Sequence, residues 1–314
     1  MQTAGAQSTT TRSQAIEIIP TAGPLGAEVS CGDLRALDDA GIAEVRKAWL
    51  DNLVIVIRGQ TLSDPELMAF GQRLGELDTA PLAKTGKEKA RAHDEVIVVS
   101  NVMEEGKPIG VLRDAEVVWH SDNSYRDIPL SFSALYALEI PPTGGDTGFA
   151  SMYRALETLP AELRRRVETL TIKHDMTYNS AGDLRDGFKP VTDVRDAPGP
   201  LHSIIRTHAE TGHNALYLGR RPNAYVDGLS VAESEMILDA LWAHATQPQL
   251  TWHHQWRVGD LLIWDNRCVM HYRAPFDAGS RRVMHRIQGK GDKPLRRADA
   301  ETAPHPRSTA RGYS

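Results

Sequence analysis

Cysteine is almost missing from the 314 residues. Cys31 and Cys268 stand far apart, so no disulfide framework can be built, and reduced thiols of a cytoplasmic protein are the expectation. Long apolar runs are missing too: no stretch of about 18 apolar residues occurs, so no membrane-spanning helix is expected. Neither sign of charge dominates. Lys and Arg number 36 against 41 Asp and Glu, a formal charge of -5, which gives no electrostatic reason to expect nucleic acid or a membrane surface as partner. No internal repeat appears, and no interior linker is long enough to divide the chain into domains. Residues 1–14 lack an apolar signal core and read as a disordered leader; residues 291–314, basic and polar with three prolines, read as a disordered tail.

What is present is an ordinary globular composition, 41% hydrophobic and 25% charged, which supports a packed core. Ile16, Ile18 and Ile19 lead into the turn Gly23-Pro24-Leu25-Gly26 and predict a strand. Asp38-Asp39 predicts a helix cap ahead of Ile42, Val45 and Trp49, and Leu53 to Ile57 a buried strand. Ser63 with Glu66, and Ser230 with Glu233, have capping-box spacing before apolar helical faces. Residues 78–94 read as a long loop, 95–100 and 131–139 as strands. Strands return at 261–264, 269–273 and 282–287, after a helical insertion at about 153–250. The predicted fold is mainly β with α decorations: a double-stranded β-helix (jelly roll) core over residues 15–290, with flanking helices.

The chemistry gathers at Trp119-His120-Ser121-Asp122-Asn123-Ser124-Tyr125. Residues i and i+2 of an extended chain point to one side, so His120 and Asp122 converge. Two N/O donors make two-thirds of a metal-binding face; the 2-His-1-carboxylate face with open positions suits Fe(II) oxygenases. His271 is the candidate third ligand. Beyond the turn at Asp277-Ala278-Gly279-Ser280, Arg282, Met284 and Arg286 share a strand face that a hairpin returns beside His271. Two guanidinium forks aimed into one pocket suit carboxylates.

Taken together, WHSD, PPTGGDTGFASM, GDLLIWDNRCVMH, VIRGQTLS and the Arg282/Arg286 pair resemble the taurine dioxygenase / 2,4-dichlorophenoxyacetate dioxygenase family of Fe(II)/2-oxoglutarate oxygenases, over roughly residues 15–290. The resemblance implies Fe(II) at His120, Asp122 and His271. It implies the far carboxylate of the cosubstrate 2-oxoglutarate on Thr147 and Arg282, and Arg286 near both cosubstrate and substrate. It implies an oxidoreductase that consumes O2, hydroxylates a substrate C–H and releases succinate and CO2. Asn123 and Tyr125 are candidate substrate contacts. Where the taurine enzymes carry a His and a Tyr after Gly-Glu-Leu, this sequence has Ala80 and Ala83; where they carry an Asn before the first ligand, it has Glu116. The expected substrate is therefore a small anionic molecule bulkier than taurine, of aryloxyalkanoate or alkyl sulfonate type. Taurine itself, a non-catalytic metal- and 2-oxoglutarate-binding module, and a zinc hydrolase on the same ligands are the competing readings. Whether the chain forms a homo-oligomer is left open.

Other histidines and Cys268 have blander expectations. His208 is expected to hydrogen-bond structurally. His253 and His254 point to opposite sides of a strand, and Cys268 and His285 have the wrong strand parity to reach the metal.

Overall fold

The computed structural model describes residues 15–79, 93–110, 118–178, 184–185 and 187–296. The expected leader, Ala80, Ala83, Glu116 and the tail from residue 297 lie outside the described residues.

The chain opens with a hairpin, β1 (Glu17–Pro20) and β2 (Ala27–Ser30). The second strand of that hairpin begins where the sequence pattern shows only a turn. Helix α1 (Asp39–Asn52) starts at Asp38, whose carboxylate accepts from Gly41 N, and buries Ile42, Val45 and Trp49 at helical spacing. Strand β3 (Val54–Ile57) follows, then α2 (Asp64–Leu74), capped reciprocally by Ser63 and Glu66. Strand β4 (Ile97–Ser100) precedes a small hairpin, β5 (Met103–Glu104) and β6 (Lys107–Pro108). The long strand β7 (Leu130–Glu139) and β8 (Thr147–Ser151) come next.

Among the described residues, three helices and five short strands separate β8 from β14. Helices α3 (Met152–Glu157) and α4 (Ala161–Val167) lead in. Strands β9 (Thr171–Lys173), β10 (Leu201–Ser203), β11 (Ile205–Thr207), β12 (Asn214–Leu216) and β13 (Tyr225–Val226) fill the middle, and α5 (Val231–Ala245) closes it. The chain ends on β14 (Thr251–His254), β15 (Leu261–Asp265), β16 (Val269–Arg273) and β17 (Val283–Lys290).

Seven strands form a large sheet in the order β1-β2-β3-β15-β7-β17-β4, and β14-β8-β16 form a small one. Every pairing in these two sheets is antiparallel except β2 with β3. Period-2 alternation sorts the large sheet's side chains. Phe132, Ala134, Tyr136, Leu261 and Ile263 face α1 and α2, with Trp49 edge-on to Phe132 at 5.7 Å. Leu135, Ala137, Leu262 and Trp264 face the small sheet and pack with Phe149, Val269 and Met270. Phe149 and Trp264 meet at 5.7 Å across this interior. Truncating a fully buried aromatic such as Phe149 to Ala costs about 3–5 kcal/mol. The same pair of sheets frames the candidate site.

Candidate active site

His120 lies beside β16, opposite His271. Each donates its backbone N–H to the other's carbonyl, at 2.9 and 2.8 Å. Direct cross-strand neighbours stand close, and the two rings are 4.3 Å apart by centroid. Asp122 sits in the turn that follows and aims Oδ1 at both rings, 3.7 Å from His120 Nε2 and 3.9 Å from His271 Nε2. All three side chains are buried, and their donor atoms lie within 4.8 Å of one another.

The protonation states decide what fits between them. His120 Nδ1 is 2.8 Å from the Val118 carbonyl, an acceptor only, so Nδ1 carries the proton and Nε2 presents a lone pair. Burial, with His120 and Arg286 alongside, outweighs the attraction of Asp122 and pushes the His271 pKa down to about 3, so that ring is neutral. Burial alone would raise the Asp122 carboxyl. The Arg286 guanidinium and the two histidines outweigh it and hold the carboxyl well below its usual range. With the His271 proton on Nδ1, two lone pairs and a carboxylate face one point. Their separations are too long for hydrogen bonds but within the span of two bonds of about 2.0–2.2 Å to one ion. A divalent cation fits this donor set.

Residues the sequence reading passed over fix the Asp122 carboxylate. Ser133 Oγ donates to Oδ2 at 2.7 Å and Gln288 Nε2 at 3.3 Å, leaving Oδ1 to face the rings. The Asn266 side chain accepts from Asp122 N at 2.7 Å and donates to its carbonyl at 2.8 Å, tying the turn to the β15–β16 corner. Asn266 belongs to the WDN motif. Ser133 and Gln288 gave no signal, being single polar residues on strands more than ten positions away.

His120 and His271 line a cavity with Thr147, Arg273, Arg282, Arg286, Val99, Leu135 and Trp264. The structure therefore brings five of the predicted residues into one wall, with Asp122 behind the rings. Arg286 Nη1 is 3.7 Å from Asp122 Oδ1, which places this arginine at the metal end. Thr147 Oγ1 accepts from Trp256 Nε1 at 3.0 Å. An indole N–H only donates, so the Thr147 hydroxyl keeps its own proton for another acceptor. Trp256 was not foreseen; it is 109 residues away in sequence.

Asn123 and Tyr125 do not line the cavity. Tyr125 Oη donates to Asn123 Oδ1 at 2.9 Å, and Arg185 lies 3.9 Å over the Tyr125 ring. Asn123 has left-handed backbone, φ 50°, and its side-chain nitrogen is buried without a hydrogen-bond partner among the described residues. His254 pairs with buried Asp260 at 3.0 Å while His253 is exposed, and His285 turns outward to Asp64.

Comparison with known proteins decides the family. Residues 17–288 match the taurine catabolism dioxygenase TauD, TfdA family. The chain belongs to this family. Its TauD/TfdA relatives include the alpha-ketoglutarate-dependent 2,4-dichlorophenoxyacetate dioxygenase of Cupriavidus pinatubonensis, 37% identical over 263 residues, covering 81% of this chain and 90% of that protein. The (S)-phenoxypropionate/alpha-ketoglutarate-dioxygenase of Sphingobium herbicidovorans is 33% identical over 297 residues, covering 89% and 96%. Among solved structures, AAD-2 in complex with Mn(II) and N-oxalylglycine superposes with TM-score 0.71 at 31% identity, covering 90% of this chain and all of that one. As a TauD/TfdA-family member, the chain is an Fe(II)- and 2-oxoglutarate-dependent dioxygenase that uses O2.

Proposed function

We propose that this enzyme hydroxylates a small anionic organic acid, of aryloxyalkanoate or alkyl sulfonate type, with release of succinate and CO2. The observation that carries the reading is one cavity walled by two metal-facing histidines at one end and three arginines around it. His120, Asp122 and His271 would hold Fe(II), which with 2-oxoglutarate and O2 supplies the oxidising power for C–H hydroxylation. The protein's own work is binding and exclusion. Thr147, set as a donor by Trp256, and Arg282 hold the cosubstrate's far carboxylate. Arg286, beside Asp122, serves the cosubstrate and the substrate anion near the metal. Val99, Leu135 and Trp264 keep the wall apolar. Asn123 and Tyr125, which stand outside the cavity lining, are left without a substrate role in this reading.

The two facing sheets support a jelly-roll core spanning residues 15–290 as one domain, and both described cysteines are free and buried, in keeping with a cytoplasmic enzyme. No helix among the described residues is long and apolar enough to cross a membrane.

The test is succinate release with Fe(II), ascorbate and 2-oxoglutarate across aryloxyacetates, alkyl sulfonates, taurine, and neutral amides of the same acids. Strong stimulation by the bulkier acids alone is expected. Equal stimulation by the amides, or taurine as the best substrate, would overturn the substrate assignment.

A further inference from the structure

We propose that Arg273 is a third binding group for the far carboxylate of 2-oxoglutarate, shared with Thr147 and Arg282. The inference rests on the reading of this cavity as a 2-oxoglutarate site.

Arg273 is buried, 6% exposed, and lines the cavity. It stands two residues after His271 on β16, on the same strand face and roughly 7 Å farther along. The β8–β16 register sets it directly opposite Thr147. Its guanidinium lies 4.9 Å from the Phe276 ring centre, and Nη1 donates to the Ala274 carbonyl at 3.1 Å, so the fork is held in place. Phe276 also flanks Gly145, where an added Cβ would stand 3.6 Å from Phe276 Cδ1 and 3.6 Å from Arg282 Nε. Arg273 and Arg282 therefore meet around the same Gly145–Phe276 corner. Gly145 has φ +71°, which disfavours any side chain, and an added Cβ would also press on Pro141 Cγ at 3.0 Å.

The charge inventory points the same way. Three guanidinium groups line the cavity. Arg286 faces Asp122 at the metal end. The remaining two line the same cavity as Thr147, with Arg273 paired directly opposite it. A carboxylate offers two oxygens with about four acceptor sites, enough to accept from two forks and a hydroxyl together.

The experiment compares 2-oxoglutarate with 2-oxopentanoate, which has the same chelating end but no far carboxylate. Binding of each to the Mn(II)-loaded chain is measured by calorimetry, for wild type, Arg273→Met and Arg273→Lys. Loss of a charged hydrogen-bond donor should weaken 2-oxoglutarate by about ten- to a hundredfold in Arg273→Met, and less in Arg273→Lys. Binding of 2-oxopentanoate should stay unchanged in both. Equal weakening of the two ligands would make Arg273 a general structural support, and unchanged 2-oxoglutarate binding would remove it from the clamp; either result overturns the proposal. A raised KM for the organic substrate alone would move Arg273 to the substrate side and overturn it too. If the wild-type chain itself fails to prefer 2-oxoglutarate over 2-oxopentanoate, the cosubstrate reading of the whole cavity falls, an outcome distinct from any failure of the variants. Should Arg273→Met not fold by circular dichroism, Arg273→Lys carries the comparison alone.

Discussion

Among the described residues, two groups of buried side chains bring three potential metal donors within 4.8 Å of one another: His120, Asp122 and His271, and His208, Asp265 and Cys268. Distance does not separate them; the placement of protons does. In the second group every acceptor already has a donor. His208 Nδ1 accepts from the backbone N–H groups of Thr211 and Glu210, at 3.1 and 3.2 Å. Its proton is therefore on Nε2 and donated to Asp265 Oδ2 at 3.0 Å. Arg267 adds bonds of 2.7 and 2.8 Å to the same carboxylate, and burial raises the Cys268 thiol well above its usual pKa. In the first group the His120 proton is turned outward to the Val118 carbonyl, and no hydrogen bond joins either ring to Asp122 Oδ1, at 3.7 and 3.9 Å. A cluster of ligand-type residues can take a metal only when its inward-facing atoms are not already used by one another's protons.

The largest effect should come from emptying the outward-bonded group. Asp122→Ala leaves two imidazole rings without their carboxylate, and the variant should retain its circular dichroism yet bind no stoichiometric Mn(II) and release no succinate. Near-normal turnover would erase the distinction between the two groups.

Asp265→Asn is the mirror test. It breaks a buried pair with Arg267, which keeps only Glu210 at 2.6 Å. Breaking such a pair typically costs about 3–5 kcal/mol, so the urea midpoint should drop sharply. Each chain that remains folded should still bind one Mn(II). Lost metal at unchanged stability would make Asp265 a ligand after all.

Ser133→Ala sharpens the comparison from inside the metal group. It removes the 2.7 Å bond that fixes Asp122 Oδ2 and frees the carboxylate to turn. Loss of such a supporting bond typically weakens metal binding or activity by about 10–100-fold, here without a change of stoichiometry. Mn(II) titration of the variant is the measurement, and an unchanged affinity would mean that Gln288 and the Asn266 clamp hold Asp122 unaided.

The sequence carried different parts of this picture unequally. Caps, helices and buried strands rest on local chemistry, so Asp38, the Ser63/Glu66 and Ser230/Glu233 boxes, and the strand from Val54 stand where spacing places them. Strand parity also set Arg286 toward the cavity and His285 away from it. That same parity puts Arg273 beside His271, a signal present in the sequence but not used. Strand β2 was missed because its four residues, Ala27–Ser30, directly follow the Gly-Pro turn and are too few to show an alternation of their own, although they pair locally with β1. Trp256 and Ser133 were invisible for a different reason: each matters through one hydrogen bond to a distant residue, which no periodicity records.

The smallest effect is expected at Cys268, where the comparison is most easily mistaken. Among the described residues it is one of only two cysteines, it precedes His271 by three residues, and its sulfur lies within ligand range of His208 and Asp265. A thiol must lose its proton to bind a metal, and here burial and the Asp265 charge both oppose that loss. Cys268→Ala removes one buried sulfur from the interior that Phe149 and Val269 share. By analogy with a buried methylene the cost is about 1 kcal/mol, and Mn(II) affinity should not change. In the native wild-type chain the thiol should resist maleimide for as long as the fold persists, then react once urea unfolds it. Fast native labelling that added Mn(II) suppresses, or a tenfold loss of metal affinity in Cys268→Ala, would show that protons do not divide the two groups as described.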